Sequence, residues 1–318
     1  MMDLHTFSAG LTFDLNANFG LIRASGADAR SFLHSQLTQD VLNLGENDVR
    51  LASYCSAKGR MYAMFYIWAD GETMYLLTQR SVMETVLKRL RMFVLRAKVV
   101  LEDVSDQYVI SGYVGADALA QQTRVTDGNT VRLGILPAVI SEANITLPRE
   151  IRIDTTLIKT ETADIELWQW LDIRAGIAHV TADISEAFVP QMMNLERIGG
   201  VNFKKGCYPG QEIVARSHYL GKLKRRMQAA SIDFANAVER DQALTQLHIG
   251  MDVYSSADPA QPAGQLLAYA RSPLNDTQID VLYEVSLPLL ENDAQLSFKE
   301  PSGQWQRRAL PYSLSDAG

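Results

Sequence analysis

Residues 49–79, VRLASYCSAKGRMYAMFYIWADGETMYLLTQ, constrain the fold more than any other stretch. Three runs rich in apolar and aromatic side chains are interrupted at Lys58-Gly59 and Asp70-Gly71. Turn pairs between such runs predict a meander of three antiparallel strands. SVMETVLKRLRMFVL (81–95) follows with helical periodicity, Ser81 as N-cap and Glu84 completing a capping box. Upstream, GLIRASGADARSFLHSQLTQDV (20–41) predicts a short strand, a turn at Ser25-Gly26 and an amphipathic helix with Phe32, Leu33 and Leu37 inward. Downstream, AKVVLEDV and YVISGYVG return to strand, and ADIELWQWLDIRAG (163–176) predicts a helix closed by glycine. After the basic run at 222–226 come MQAASIDF, GMDVYSS, GQLLAYARSP and IDVLYEVSL. Such short strands between turn residues suit a small barrel or sandwich. The expected architecture is α+β followed by an all-β C-terminal unit.

The totals exclude several function classes. The 318 residues carry a net charge of −7, so no global field attracts nucleic acid and any anion site must be local. The N-terminus lacks a basic region followed by an apolar one, and no apolar run approaches membrane-spanning length. Two cysteines, Cys55 and Cys207, cannot build a secreted disulfide framework. Nor can they supply an all-cysteine cluster or a zinc set, so no metal site and a cytoplasmic setting are expected.

Cys207 lies in KKGCYPGQEIVAR, residues 204–216. Gly206 and Gly210 withhold side-chain cover, and Pro209-Gly210 is a turn signal. In an extended chain Lys205 and Cys207 project to one side, where the ammonium favours thiolate. Gln211 and Glu212 offer an amide and a carboxylate for binding a ligand or moving a proton. A free cysteine is equally often a small buried apolar residue, and on the residues alone both readings of Cys207 stay open. For Cys55, inside an apolar strand, the packing reading is preferred. Lys204, Lys205, Arg216, Lys222, Lys224, Arg225 and Arg226 face only Glu212 across 204–226. That patch could take a phosphate, a polyglutamate tail or RNA, or simply be solvated. Trp168 and Trp170, two apart on a helix, cannot share a face, so one is assigned to the core and the other left open to a ligand.

The same run resembles the signature of the YgfZ family, folate-binding proteins related to the T protein (aminomethyltransferase) of glycine cleavage. Lys204, Lys205, Gly206, Cys207, Tyr208, Gly210, Gln211 and Glu212 fit its K-x-G-C-Y-x-G-Q-E motif. ASGAD (24–28), QLTQDV (36–41), CSAKGRM (55–61), FVPQMMNLERIGGVNFKKG (188–206) and LPYSL (310–314) look like further family segments in the family order. The resemblance implies a glycine cleavage T protein-like fold. Residues 1–225 would form two interleaved α/β units, one ferredoxin-like, around a tetrahydrofolate pocket, and 226–318 a small β-barrel. It implies a tetrahydrofolate-binding accessory protein, loaded with tetrahydrofolate or a one-carbon derivative. Its clients would be iron–sulfur enzymes, including tRNA-modifying ones. Cys207 would be the reactive residue, with Lys205, Gln211 and Glu212 beside it. Phe19, Trp168, Arg174, Gln191, Asn194 and Tyr208 would contact folate.

Two departures from the relatives stand out. Aminomethyltransferases carry an Asp-Asp pair soon after the turn glycine, whereas Gly59-Arg60-Met61-Tyr62-Ala63-Met64 has no carboxylate. That argues against aminomethyl transfer. Folate relatives often read E-A-G where this chain has Arg174-Ala175-Gly176. A guanidinium only donates, so Arg174 meets another part of folate, such as O4, or the pterin is held more weakly. A folate-dependent one-carbon transferase and a tRNA-binding module remain the alternatives.

Overall fold

The computed structural model describes residues 7, 10–156, 162–219, 223–292 and 294–314, which leaves Lys222 of the basic run outside the described residues. Strand β1 (Leu11–Asp14) is followed by β2 (Phe19–Ser25), helix α1 (Ala29–Gln36), and the meander β3 (Arg50–Cys55), β4 (Met61–Asp70) and β5 (Thr73–Gln79). Helix α2 (Arg80–Met92) and β6 (Val100–Asp103) complete the first sheet, ordered β3-β4-β5-β2-β6 and antiparallel throughout. Both meander turns fall where expected, with Gly59 at φ +71° and Gly71 at φ +58°.

Strand β4 is apolar on both faces, which suits a strand covered from both sides. Ala63, Phe65, Ile67 and Ala69 pack in the same cluster as Phe32, Leu33, Val86 and Leu90 of the two helices. Met64, Tyr66 and Trp68 turn the opposite way into the main core. Helix α2 does not begin on a Ser81 cap. Strand β5 runs straight into it through an extended Gln79, and the Arg80 amide is satisfied by the Asn18 carbonyl at 2.8 Å. Ser81 Oγ instead accepts from the Ala182 amide.

The second sheet takes β1 and adds β7 (Val109–Val114), β8 (Arg124–Asp127), β9 (Thr130–Ile140) and β10 (Ile145–Asp154), in the order β1-β7-β10-β9-β8. Next come α3 (Ile165–Arg174) and α4 (Gln211–Tyr219). The third sheet is built from β11 (Arg225–Asp233), with α5 (Ala237–Leu244) following it, β12 (Asp252–Ser255), β13 (Gly264–Arg271) and β14 (Gln278–Ser286). After α6 (Leu287–Glu291), β15 (Leu296–Ser297) and β16 (Gln304–Arg308) close the order β15-β12-β13-β14-β11-β16. Its edge strands β15 and β16 touch, so the sheet curls into the expected small barrel.

Helix α3 joins the three sheets. The Asp164 side chain caps it, accepting from the Glu166 amide at 3.0 Å. Trp168 and Trp170 are 2% and 0% exposed, so neither ring stands open to solvent. The helix is packed on two sides: Trp168 packs on Phe13 of β1, while Trp170 donates its Nε1–H to Asp280 of β14 at 2.6 Å. One apolar cluster accordingly holds Phe13, Trp68, Ile110, Leu133, Trp170, Met227 and Leu267, drawn from every sheet. No helix among the described residues is long and apolar enough to cross a membrane.

Candidate functional site

A cavity of about 210 Å³ opens where the first sheet, α3 and the third sheet meet. Phe19 opens β2, Gln79 ends β5, Trp168 and Asp172 lie four apart on α3, His179 follows that helix, and Tyr269 comes from β13. The four-residue spacing puts Trp168 and Asp172 on one helical face. Phe19 meets the His179 ring edge-on with centroids 5.2 Å apart.

Asp172 is the polar centre of this cavity. Its Oδ1 accepts from Arg149 Nη1 at 2.9 Å, and its Oδ2 lies 3.4 Å from His179 Nε2. Burial by itself pushes the Asp172 carboxyl up, but the Arg149 guanidinium and His179 outweigh it and hold the group below the ordinary carboxylate range. Arg149 is fully buried, hydrogen-bonded to the Leu136 carbonyl at 3.0 Å and stacked 5.0 Å from the Trp168 ring centre. A carboxylate that stays ionised in such a cavity is an acceptor for N–H donors. Phe19 and Trp168 wall the cavity beside this acceptor. Among the described residues no group of His, Cys, Asp and Glu is arranged to hold a metal ion.

The cysteine loop forms a second locus. Cys207 is exposed, whereas Lys205 is buried and donates to the carbonyls of His34 and Leu37 at the end of α1. Burial lowers the Lys205 ammonium to about 8, partly offset by Asp40 and Cys207. Its Nζ also sits 4.9 Å over the ring of Tyr208, which packs in a small cluster with Val201 and Val214. Gly210, at φ +79°, lies against the Ser56–Gly59 turn so closely that a Cβ would sit 2.4 Å from the Ser56 carbonyl oxygen. Gln211 starts α4, and Glu212 beside it is exposed.

No family model matches the chain. The tRNA-modifying protein YgfZ of Photobacterium profundum is 31% identical, covering 94% of this chain and 91% of its own. That of Vibrio vulnificus strain CMCP6 is also 31% identical, over 96% and 94%. The chain belongs to the YgfZ family. A solved glycine cleavage system aminomethyltransferase T from Bartonella henselae shares the fold, with a TM-score of 0.64 at 12% identity over 97% of this chain and 87% of that one.

In this YgfZ-family chain, the residues expected to contact folate separate into groups. Phe19 and Trp168 line the central cavity together. Arg174 is directed elsewhere: it pairs with Asp280 at 2.7 Å and Glu142 at 3.0 Å and stacks over Trp170. Its guanidinium neutralises a buried carboxylate of the third sheet, which leaves it no part in the cavity. Gln191 and Asn194 are fully buried near the cysteine loop. Gln191 donates to the Val214 carbonyl at 2.6 Å, and Asn194 donates to Met227 O while accepting from Arg226. Neither they, Tyr208 nor any other residue of the cysteine motif lines the cavity.

The basic run also divides. Lys205 caps α1, Arg225 pairs with Glu284 at 2.6 Å, and Arg226 pairs with Glu196 at 2.7 Å. Of the described cations only Lys204, Arg216 and Lys224 remain exposed. Asp172 and His179 were missed in the sequence reading. The spacing of Asp172 from Trp168 was the signal that could have found it.

Proposed function

We propose that this chain is a cytoplasmic tetrahydrofolate-binding accessory protein that supports iron–sulfur enzymes, tRNA-modifying ones among them, through the Cys207 thiol. The observation that carries the reading is the convergence of Phe19, Trp168, Asp172 and His179 on one cavity. The ionised Asp172 carboxylate would accept from the pterin ring N–H groups, the role left without an owner when position 174 proved to be arginine. Phe19 and Trp168 would bound the ring on its sides. Arg149 and His179 keep Asp172 charged and oriented. A reduced folate, when bound, supplies a one-carbon unit or reducing equivalents. The printed name of the relatives, tRNA-modifying protein, supports a place in tRNA modification.

Aminomethyl transfer is the weaker reading, because β4 offers apolar Met61, Ala63 and Met64 where a reacting carboxylate would be needed. A tRNA-binding module is weaker too, because internal ion pairs consume much of the basic run.

Calorimetric titration with tetrahydrofolate tests the proposal. Wild type should bind, and Trp168→Ala should lose about 1–2 kcal/mol of binding, the scale of a lost aromatic contact. No binding by the wild type at millimolar ligand would refute it.

A further inference from the structure

We propose that His34, backed by Asp40, is the proton acceptor for Cys207, while Lys205 acts as a positioning residue that holds the two segments together. The inference deepens the reading in which Cys207 is the reactive group and rests on it.

The Lys205 ammonium is engaged. It donates to the His34 and Leu37 carbonyls, the latter at 2.7 Å, and lies over the Tyr208 ring. A cation at these carbonyls satisfies a helix C-terminus, so its first effect is to fasten the cysteine loop to the last turn of α1. That turn carries His34. A Cβ built on Gly206 would lie 3.6 Å from His34 Nε2, so the ring nitrogen abuts the residue just before Cys207. Cys207 is the next residue, its Cα about 3.8 Å from that of Gly206, and its side chain is exposed, so the transfer requires the thiol to turn toward the ring.

The other face of the ring is equally specific. His34 Nδ1 is 3.3 Å from Asp40 Oδ1 and has no aligned hydrogen-bond partner yet. An N–H on Nδ1 directed at this carboxylate leaves the lone pair on Nε2, the nitrogen facing the loop. Such contacts commonly tighten when the ring takes up charge. Asp40 is itself held by Asn43 at 2.7 Å and by the nearby Arg50, and stays below the ordinary carboxylate range although burial pushes it up.

The charged groups facing His34 are Asp40 and Lys205, and Lys205 also faces Cys207. Burial first, and then Lys205, lower the imidazole, which keeps it neutral and able to accept a proton at physiological pH. In the step, the Cys207 Sγ proton moves to His34 Nε2. The Lys205 ammonium interacts with the resulting thiolate and the Asp40 carboxylate with the imidazolium. With iodoacetamide as probe, the thiolate sulfur forms the new S–C bond and iodide leaves with the electron pair of the C–I bond.

The test is the pH profile of Cys207 alkylation by iodoacetamide in the full-length protein, read at the Cys207 peptide by mass spectrometry. His34→Gln should slow the reaction at neutral pH by about tenfold or more. It should converge on the wild-type rate above the ordinary thiol pKa of about 8.5. Asp40→Asn should give a smaller loss of the same shape, an independent check should His34→Gln perturb folding. Profiles of both variants that superimpose on wild type would overturn the proposal, as would a profile moved only by Lys205→Met. A wild-type thiol no faster than free cysteine at every pH would instead overturn the reactive-cysteine reading itself.

Discussion

Replacing Gly210 with alanine tests whether the cysteine motif is conformationally constrained at its second glycine. Gly210 sits at φ +79°, and its Cβ would approach the Ser56 carbonyl oxygen to 2.4 Å and Gly59 Cα to 2.6 Å. These obstacles are backbone atoms of a tight turn, which cannot rotate away as a side chain could. A side chain in the left-handed region costs about 1–2 kcal/mol. Forcing extra volume into closely packed structure costs about 1–3 kcal/mol. Together they give a destabilisation of about 2–5 kcal/mol for Gly210→Ala. Gly206→Ala is the internal control, because its Cβ would meet only His34 Nε2, at 3.6 Å. That change should stay within about 0.5 kcal/mol, as exposed substitutions do. Urea denaturation measures both, read as a shift in midpoint at constant slope. A Gly210→Ala midpoint indistinguishable from that of Gly206→Ala would refute the argument.

Three further outcomes are expected. Asp280→Ala removes the buried acceptor of Trp170 and the partner of Arg174. Arg174 keeps Glu142 as a partner, so the loss in the same denaturation assay should fall below about 3–5 kcal/mol, the cost of a fully stranded buried charge. Titration of native thiols at neutral pH should show one fast cysteine, Cys207. Cys55 should react only on unfolding, because burial has pushed its thiol up to about 12. For Lys205, the folded ammonium titrates at about 8 against its ordinary 10.5. The unfolded chain therefore holds the proton longer, and the Lys205 contribution to stability should increase as pH rises between those values. It is measured as wild type minus Lys205→Met across that window, and a difference independent of pH would contradict the assignment.

The parts of the fold legible in the sequence were those with local causes. The meander could be read because Gly59 and Gly71 punctuate it, and both adopt the left-handed conformations that glycine tolerates. The start of α2 was misplaced because its first amide is satisfied by Asn18, a residue distant in the chain, and no local cap was needed. Strands β8 to β10 were not resolved individually. β9 contains Gly134 and Pro137, and a register shift interrupts its pairing with β10, so no clean alternation marks them. At the cavity, Phe19 and Trp168 were accessible through resemblance, while the Arg149 that holds Asp172 ionised comes from another part of the chain. The basic run looked like an anion patch because composition counts charges without their partners. Glu196 and Glu284, which neutralise Arg226 and Arg225, come from other segments.

The cavity walls run from Asn18 and Phe19 to Tyr269, with α3 between them. A ligand seated there would behave as a removable cross-link between distant parts of one chain. Whatever free energy it releases on binding is withheld from the unfolded state, about 2.7 kcal/mol at a hundredfold excess over Kd. Because β1, β4, β9, α3 and β13 contribute to the same apolar cluster, that increment should be distributed through all three sheets. Amide exchange would then slow in the C-terminal barrel as well as in β2, although most barrel strands never touch the ligand.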